Sequence, residues 1–208
     1  QNIFQDGNIK LIGSGRTDSG VHAIGQVANF SIDTNMSIKQ IKNAINSKIN
    51  NDIYINSCEL VEDNFNSRFS AKNREYIYKI SRIYSPFMRR YSWYLNYKLN
   101  KNKLDECASI VLGNHDFNFF CKQLSQKNNN HCIIEKSEWL HDYDIFCYTI
   151  KANRFLHHMV RMLVGTMIEV SKNKISIKEF QDMIDCVSKK RRIVSAPSRG
   201  LYLNKVDY

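Results

Sequence analysis

Proline is nearly missing from this 208-residue chain: Pro86 and Pro197 are the only two. No proline-rich linker therefore marks a domain boundary. The six cysteines form no CxxC pair and keep no regular spacing, which excludes a zinc-knuckle or dithiol motif and argues against a disulfide framework. They read as reduced thiols in a cytosolic-type compartment, and the expected location is cytoplasmic. No apolar run approaches the roughly 18 residues of a membrane span, and no signal-peptide pattern opens the chain, so no membrane association is expected. Internal repeats are also lacking. Acidic residues are few against basic ones, 20 against 30, and the net charge is +10. A surplus of that size favours a polyanionic partner, because each Lys or Arg set against a phosphate releases counterions.

What is present fits a globular chain of one domain or two small ones, with 43% hydrophobic and 12% aromatic residues. Residues 8–12 and 26–32 read as strands on either side of a glycine-rich stretch. Ile38, Ile41, Ile45 and Ile49 recur at helical spacing behind a possible Ser37/Gln40 capping box. In residues 75–82, Tyr76, Tyr78 and Ile80 share one strand face; Phe146, Tyr148 and Ile150 do the same in 145–151. Residues 102–112 read as a helix stopped by Gly113, 155–170 as a largely apolar helix, and 176–189 as a helix capped by Ser176 and Glu179. In that last helix Ile177, Phe180, Ile184 and Val187 are expected inside. The polar run 123–130 reads as an exposed loop. Strands that alternate like half-exposed ones, interleaved with helices, favour an antiparallel α+β fold over a buried parallel sheet.

Five of the eight glycines lie in the first 25 residues, and three of them fall in GSGRTDSGVHA, residues 13–23. A dinucleotide fingerprint would need the third glycine two residues earlier than Gly20. A P-loop would need Lys and Ser/Thr where Val21 and His22 stand. Both phosphate readings fail, which also disfavours a nucleotide-phosphate-binding protein. There remain an Asx-type turn, in which Asp18 caps its own amides, and a loop built around the Asp18 carboxylate. Arg161 stands within the apolar segment 155–170, where an unpaired cation would be costly. His157 and His158 could suggest a metal, but adjacent helical residues point about 100° apart. A packed or RNA-facing role is expected for the pair.

GRTDSGVHA resembles the GRTDxGVHA signature of the TruA family of tRNA pseudouridine synthases. Four further blocks resemble that family in its order: FNSRFSAKNREYIY (65–78), GNHDFNFF (113–120), KANRFLHHMVRMLVG (151–165) and APSRGLYL (196–203). Together they span nearly the whole chain. The resemblance implies an isomerase that turns uridine into pseudouridine in the anticodon stem-loop of tRNA, at positions 38–40. It implies no cofactor and no metal, and a homodimer acting on the anticodon arm. The fold it implies is the pseudouridine synthase fold, two α+β halves with antiparallel sheets flanked by helices and a central basic cleft. The halves are expected at 1–70 and 71–208.

By the same resemblance Asp18 is the essential carboxylate, acting as a nucleophile on the ribose or assisting glycal formation. Arg161 pairs with it. Tyr76 stacks on the target base and helps remove the C5 proton. Leu201 packs against the uracil, and Arg16 is linked to flipping the nucleotide out of its stem, a step the chemistry requires because C5 and C1′ are closed off in a stacked helix. Thr17 and His22 shape the loop. Tyr78 is grouped with the substrate-side residues and is also the natural core residue of its strand. Lys39, Lys42, Lys48, Arg89, Arg90 and the run 189–192 suit a surface that tracks phosphates. The chain departs from the family in lacking the YDGxxYxGWQ-like segment ahead of the aspartate motif, which implies N-terminal truncation. A catalytically inactive tRNA-binding module is the alternative that this departure suggests.

Overall fold

The computed structural model describes residues 9–122, 129–187 and 193–208. The first elements are β1 (Ile12–Gly13), β2 (His22–Ala23), β3 (Ala28–Asn29), α1 (Ile38–Asn46), β4 (Asn73–Ser81), β5 (Trp93–Tyr94) and α2 (Lys101–Val111). They are followed by β6 (Gly113–Asp116), β7 (His131–Asp142), β8 (Ile145–Ala152), α3 (Met159–Ser171), α4 (Ile177–Ile184) and β9 (Leu201–Asp207). The chain divides into two compact units, Gln1–Gly15 with Val27–Ser70, and Arg16–Gln26 with Ala71–Tyr208.

In the smaller unit β1 and β3 pair antiparallel, Ile12 opposite Asn29. Of the strands expected over 8–12 and 26–32, the described residues show Ile12–Gly13 and Ala28–Asn29; residue 8 lies outside the described residues. Buried Ser67 fastens the pair: its hydroxyl donates to the Ile12 carbonyl at 2.6 Å and its amide to Asn29 Oδ1 at 2.9 Å. Helix α1 opens with the expected capping box. Ser37 accepts from the Gln40 amide, and Gln40 accepts from the Ser37 amide at 2.8 Å.

The larger unit is a seven-stranded sheet in the order β2-β9-β4-β8-β7-β6, with β5 beside the end of β4. Its long pairings are antiparallel, as the half-exposed alternation predicts. Two short pairings are parallel, β2 with β9 and β5 with β4. Tyr78 stands opposite Tyr148, and Ile80 opposite Phe146. That face is covered by α2, α3 and α4 through Leu104, Cys107, Leu163, Met167, Phe180 and Ile184, all essentially inaccessible to solvent. Each such side chain contributes about 1.5–3 kcal/mol by leaving water.

Helix boundaries follow local chemistry. Helix α2 starts where the Asn100 side chain accepts from the Lys103 amide. Helix α4 starts at the Ser176/Glu179 capping box but ends at Ile184, so the helix expected over 176–189 is shorter, and Val187 lies outside it, exposed. Residues 123–128 of the expected loop, and the basic run 189–192, fall outside the described residues. Helix α3 begins at Met159 and not at 155, because His158 takes a left-handed backbone (φ 65°) that no helix continues through. None of the described helices is long and apolar enough to cross a membrane.

Candidate active site

The glycine-rich stretch forms a β-turn over 18–21, closed by the Val21 amide donating to the Asp18 carbonyl at 3.0 Å. Gly20 occupies the third position with φ +78°, a conformation that L side chains rarely adopt. A Cβ there would also come within 2.7 Å of Ser198 Oγ. The turn is anchored downstream by His22. Its Nε2 lies 2.8 Å from the Arg90 carbonyl oxygen, and its ring stacks on Tyr202 (4.8 Å) and Tyr91 (5.2 Å). Strand β2 then pairs His22 with Tyr202 on β9.

The Asp18 carboxylate reaches Arg161 on the second residue after the start of α3. Arg161 Nη1 donates to Asp18 Oδ2 at 2.7 Å, and its Nε donates to the Ala196 carbonyl at 2.8 Å. Arg161 is mostly buried, so the pair answers the cost of a cation in an apolar helix. The two residues that precede α3 turn to the same carboxylate. His157 Nε2 stands 3.4 Å from Oδ1, and His158 Nε2 stands 3.2 Å from Oδ2. Expecting these rings to diverge as helical neighbours is therefore mistaken. Neither residue is helical, and the left-handed backbone of His158 brings the rings together, with centroids 4.3 Å apart. Burial, ahead of the Arg161 and His157 charges, holds the His158 imidazole below its ordinary pKa against the pull of Asp18.

Tyr76 lies on β4 next to a register shift between Glu75 and Tyr76 in the pairing with β9. The shift leaves Asn204 without a partner in the ladder, and its amide donates to Glu75 Oε1 at 2.6 Å. Bulges of this kind re-aim a side chain. The Tyr76 ring meets Phe155 edge-on at 5.0 Å. Burial raises the phenol pKa; Arg74 opposes this, while the Asp18 charge adds to it, so Tyr76 lies within electrostatic reach of the carboxylate.

The remaining expected residues fall in three environments. Leu201, at the start of β9, is buried opposite Tyr78. Tyr78 is fully buried and its hydroxyl donates to the Pro197 carbonyl at 2.7 Å, which places it in the core. Arg16 and Thr17 are exposed on the segment leading into the turn. Asp18 and Arg161 are thus brought together from sequence-distant elements of one unit, and Tyr76 stands on β4 of the same unit. Sequence reasoning names His157 and His158 but does not connect them with Asp18. The signal for them was the want of a Ser, Thr, Asp or Asn cap before Met159, which left the helix start open.

A family described as tRNA pseudouridine synthase matches residues 2–70 and 107–208. The chain belongs to the tRNA pseudouridine synthase family. Curated relatives support this over nearly its full length. It is 39% identical to tRNA pseudouridine synthase A of Dictyoglomus thermophilum, covering 99% of this chain and 85% of that protein. It is 39% identical to tRNA pseudouridine synthase A of Ehrlichia chaffeensis, covering 94% and 81%. The protein of the same description from Thermoanaerobacter sp. is 38% identical over 96% of this chain and 83% of its own length. Membership makes the chain an isomerase, and three of the blocks that resemble TruA supply Asp18, the His157–His158–Arg161 group and the Ala196 carbonyl.

Proposed function

We propose that this protein isomerises uridine to pseudouridine in the anticodon stem-loop of tRNA, at positions 38–40, with Asp18 as the nucleophile. The observation that carries the reading is the 2.7 Å ion pair from Arg161 to Asp18. Arg161 aims the carboxylate, using one guanidinium nitrogen while the Ala196 carbonyl fixes another. Asp18 attacks C1′ of the ribose as the N1–C1′ bond breaks, and the detached base turns. C5 then displaces the carboxylate from C1′, the C5 proton leaves, and N1 takes up a proton. No atom is gained or lost overall. Tyr76 provides an aromatic face for the base, and Leu201 an apolar wall.

Access to C1′ and C5 requires the nucleotide to leave its stack. Exposed Arg16, two residues before Asp18, is placed to fill the vacated stack with a planar cation. Arg89 and Arg90 are also exposed, and the segment that carries them is tied to β2 through the Arg90 carbonyl. With Lys39 and Lys48, which are exposed as well, they suit contacts to tRNA phosphates. A cytoplasmic homodimer belongs to the same proposal. The inactive-module alternative draws no support from the family match or the named relatives.

The test is tritium release from tRNA labelled at C5 of uridine, with Asp18→Ala as control. Release by the parent protein and none by the variant supports the reading. Retained tRNA binding with no release from either protein would overturn it.

A further inference from the structure

Among the described residues, Asp18, His157 and His158 form the one group whose metal-ligating atoms all lie within 4.8 Å of one another. The imidazole-to-carboxylate separations of 3.4 and 3.2 Å exceed the roughly 2.7–2.9 Å of a charge-assisted hydrogen bond. The 3.4 Å from His157 Nε2 to Oδ1 matches the edge of a tetrahedral coordination shell, and His158 Nε2, 3.2 Å from Oδ2, completes a group of ligand atoms that all lie within 4.8 Å of one another. Two bonds of about 2.0–2.1 Å meeting at the tetrahedral angle place their ligand atoms about 3.3 Å apart. The set of two imidazoles and one carboxylate is the chemistry that zinc and its neighbours favour.

The two carboxylate oxygens divide the work. Oδ2 is taken by Arg161 at 2.7 Å, whereas Oδ1 faces His157. A monodentate ion on Oδ1 therefore leaves the ion pair standing. The His157 side chain is 44% exposed, which opens the site to solvent, while His158 is 21% exposed and forms its inner wall. The left-handed backbone at His158 makes the arrangement possible, and the His158 side chain makes no capping hydrogen bond that would hold it elsewhere.

We propose that Asp18, His157 and His158 bind a divalent zinc-class ion, and that this ion shuts the isomerase off by occupying the carboxylate the reaction needs. The inference rests on the reading of Asp18 as the acting carboxylate. The isomerisation itself runs without the ion; the ion is an inhibitor that a chelator removes. Arg161 opposes a second positive charge in the same place, which limits the affinity and keeps the inhibition reversible.

The experiment is calorimetric titration of the full chain with Zn²⁺, alongside Co²⁺ absorption and tritium release with and without added Zn²⁺. The variants are His157→Gln, His158→Asn and Cys186→Ser; asparagine is chosen because it tolerates the left-handed backbone, and Cys186 because its thiol is exposed. The expected result is one ion per chain, with affinity roughly tenfold or more weaker in each histidine variant and unchanged in Cys186→Ser. The Co²⁺ complex of the parent should show no thiolate charge-transfer band, a readout that does not depend on any variant folding. Tritium release should fall with added Zn²⁺, relative to the metal-free rate, and return with EDTA. Equal affinity in the histidine variants, or a thiolate band, overturns the proposal. Release that is unaffected by Zn²⁺ overturns it while leaving the isomerase reading intact. Zinc held by the histidines in a protein that releases no tritium even without metal overturns the isomerase reading and upholds the ion site.

Discussion

Arg161 grips Asp18 from 143 residues further along the chain, giving one nitrogen to Asp18 Oδ2 at 2.7 Å and another to the Ala196 carbonyl at 2.8 Å. The guanidinium is thus fixed on two sides, and the carboxylate inherits its direction. Arg161→Lys keeps the charge but cannot span both partners, since an ammonium is a point donor on a flexible stem. The expected outcome is a fall in kcat of about 10²-fold with tRNA affinity little changed, read by tritium release. Arg161→Ala should cost more and lower Tm as well, because Asp18 then faces His157 and His158 without its strongest partner.

Gly20→Ala tests the turn. The φ of +78° and the approach to Ser198 both resist a Cβ. A loss of about 1–2 kcal/mol in stability is expected, measured by denaturant unfolding. Activity should fall by more than the unfolded fraction explains, because Asp18 opens the same turn.

Two tyrosines two residues apart should separate stability from chemistry. Tyr78→Phe leaves the partly buried Pro197 carbonyl without its donor, costing about 1 kcal/mol. Tritium release by the folded variant should stay near parental. Tyr76→Phe should show the reverse, near-parental Tm with lowered release, if the hydroxyl assists C5 proton removal.

Burial, reinforced by the neighbouring Glu106 charge, pushes the Cys107 thiol up to about 12 from an ordinary 9.0, and burial pushes Cys132 up to about 11. In the unfolded chain these thiols ionise near 9, while in the folded protein they remain protonated. The unfolded state therefore binds fewer protons between the two values, and stability falls as pH rises from about 9 to 12. Unfolding free energy measured across that range should decline. Cys107→Ala should flatten the decline even though its lost packing lowers stability at every pH.

How much of this was legible in the sequence depended on whether the deciding force was local. The capping boxes of α1 and α4 are settled by side chains three residues apart, and both stand where the sequence puts them. Strands β4 and β8 show their buried face by strict alternation. Strand β7 escaped notice although it is the longest, at 12 residues. A register shift between Ile134 and Lys136 breaks its period, so Cys132 and Ile134 point inward, followed by Ser137 and Trp139. A serine on the inner face and a phase change remove the very signal that alternation provides. Its hydroxyl is accommodated by Tyr148 at 2.7 Å, a contact no window of sequence contains. At the site, the importance of Asp18 came from resemblance and that of Arg161 from resemblance joined to the cost of a buried cation. The apolar pattern from Phe155 runs four residues ahead of the helix itself, and one left-handed residue, His158, reverses where the two histidine rings point.

The pairing of β2 with β9 ties His22 and Ala23 to residues made 180 positions later, Tyr202 and Leu203. Asp18 leaves the exit tunnel well before them, and the hydrogen bonds from Ile24 and Gly25 to Leu203 cannot form until that residue has emerged. A nascent chain consequently carries the Asp18 turn without its seat through most of the synthesis of these elements. Strand β9 works as a latch, and a ribosome stalled ahead of it would hold every other element of the sheet with that turn still unset.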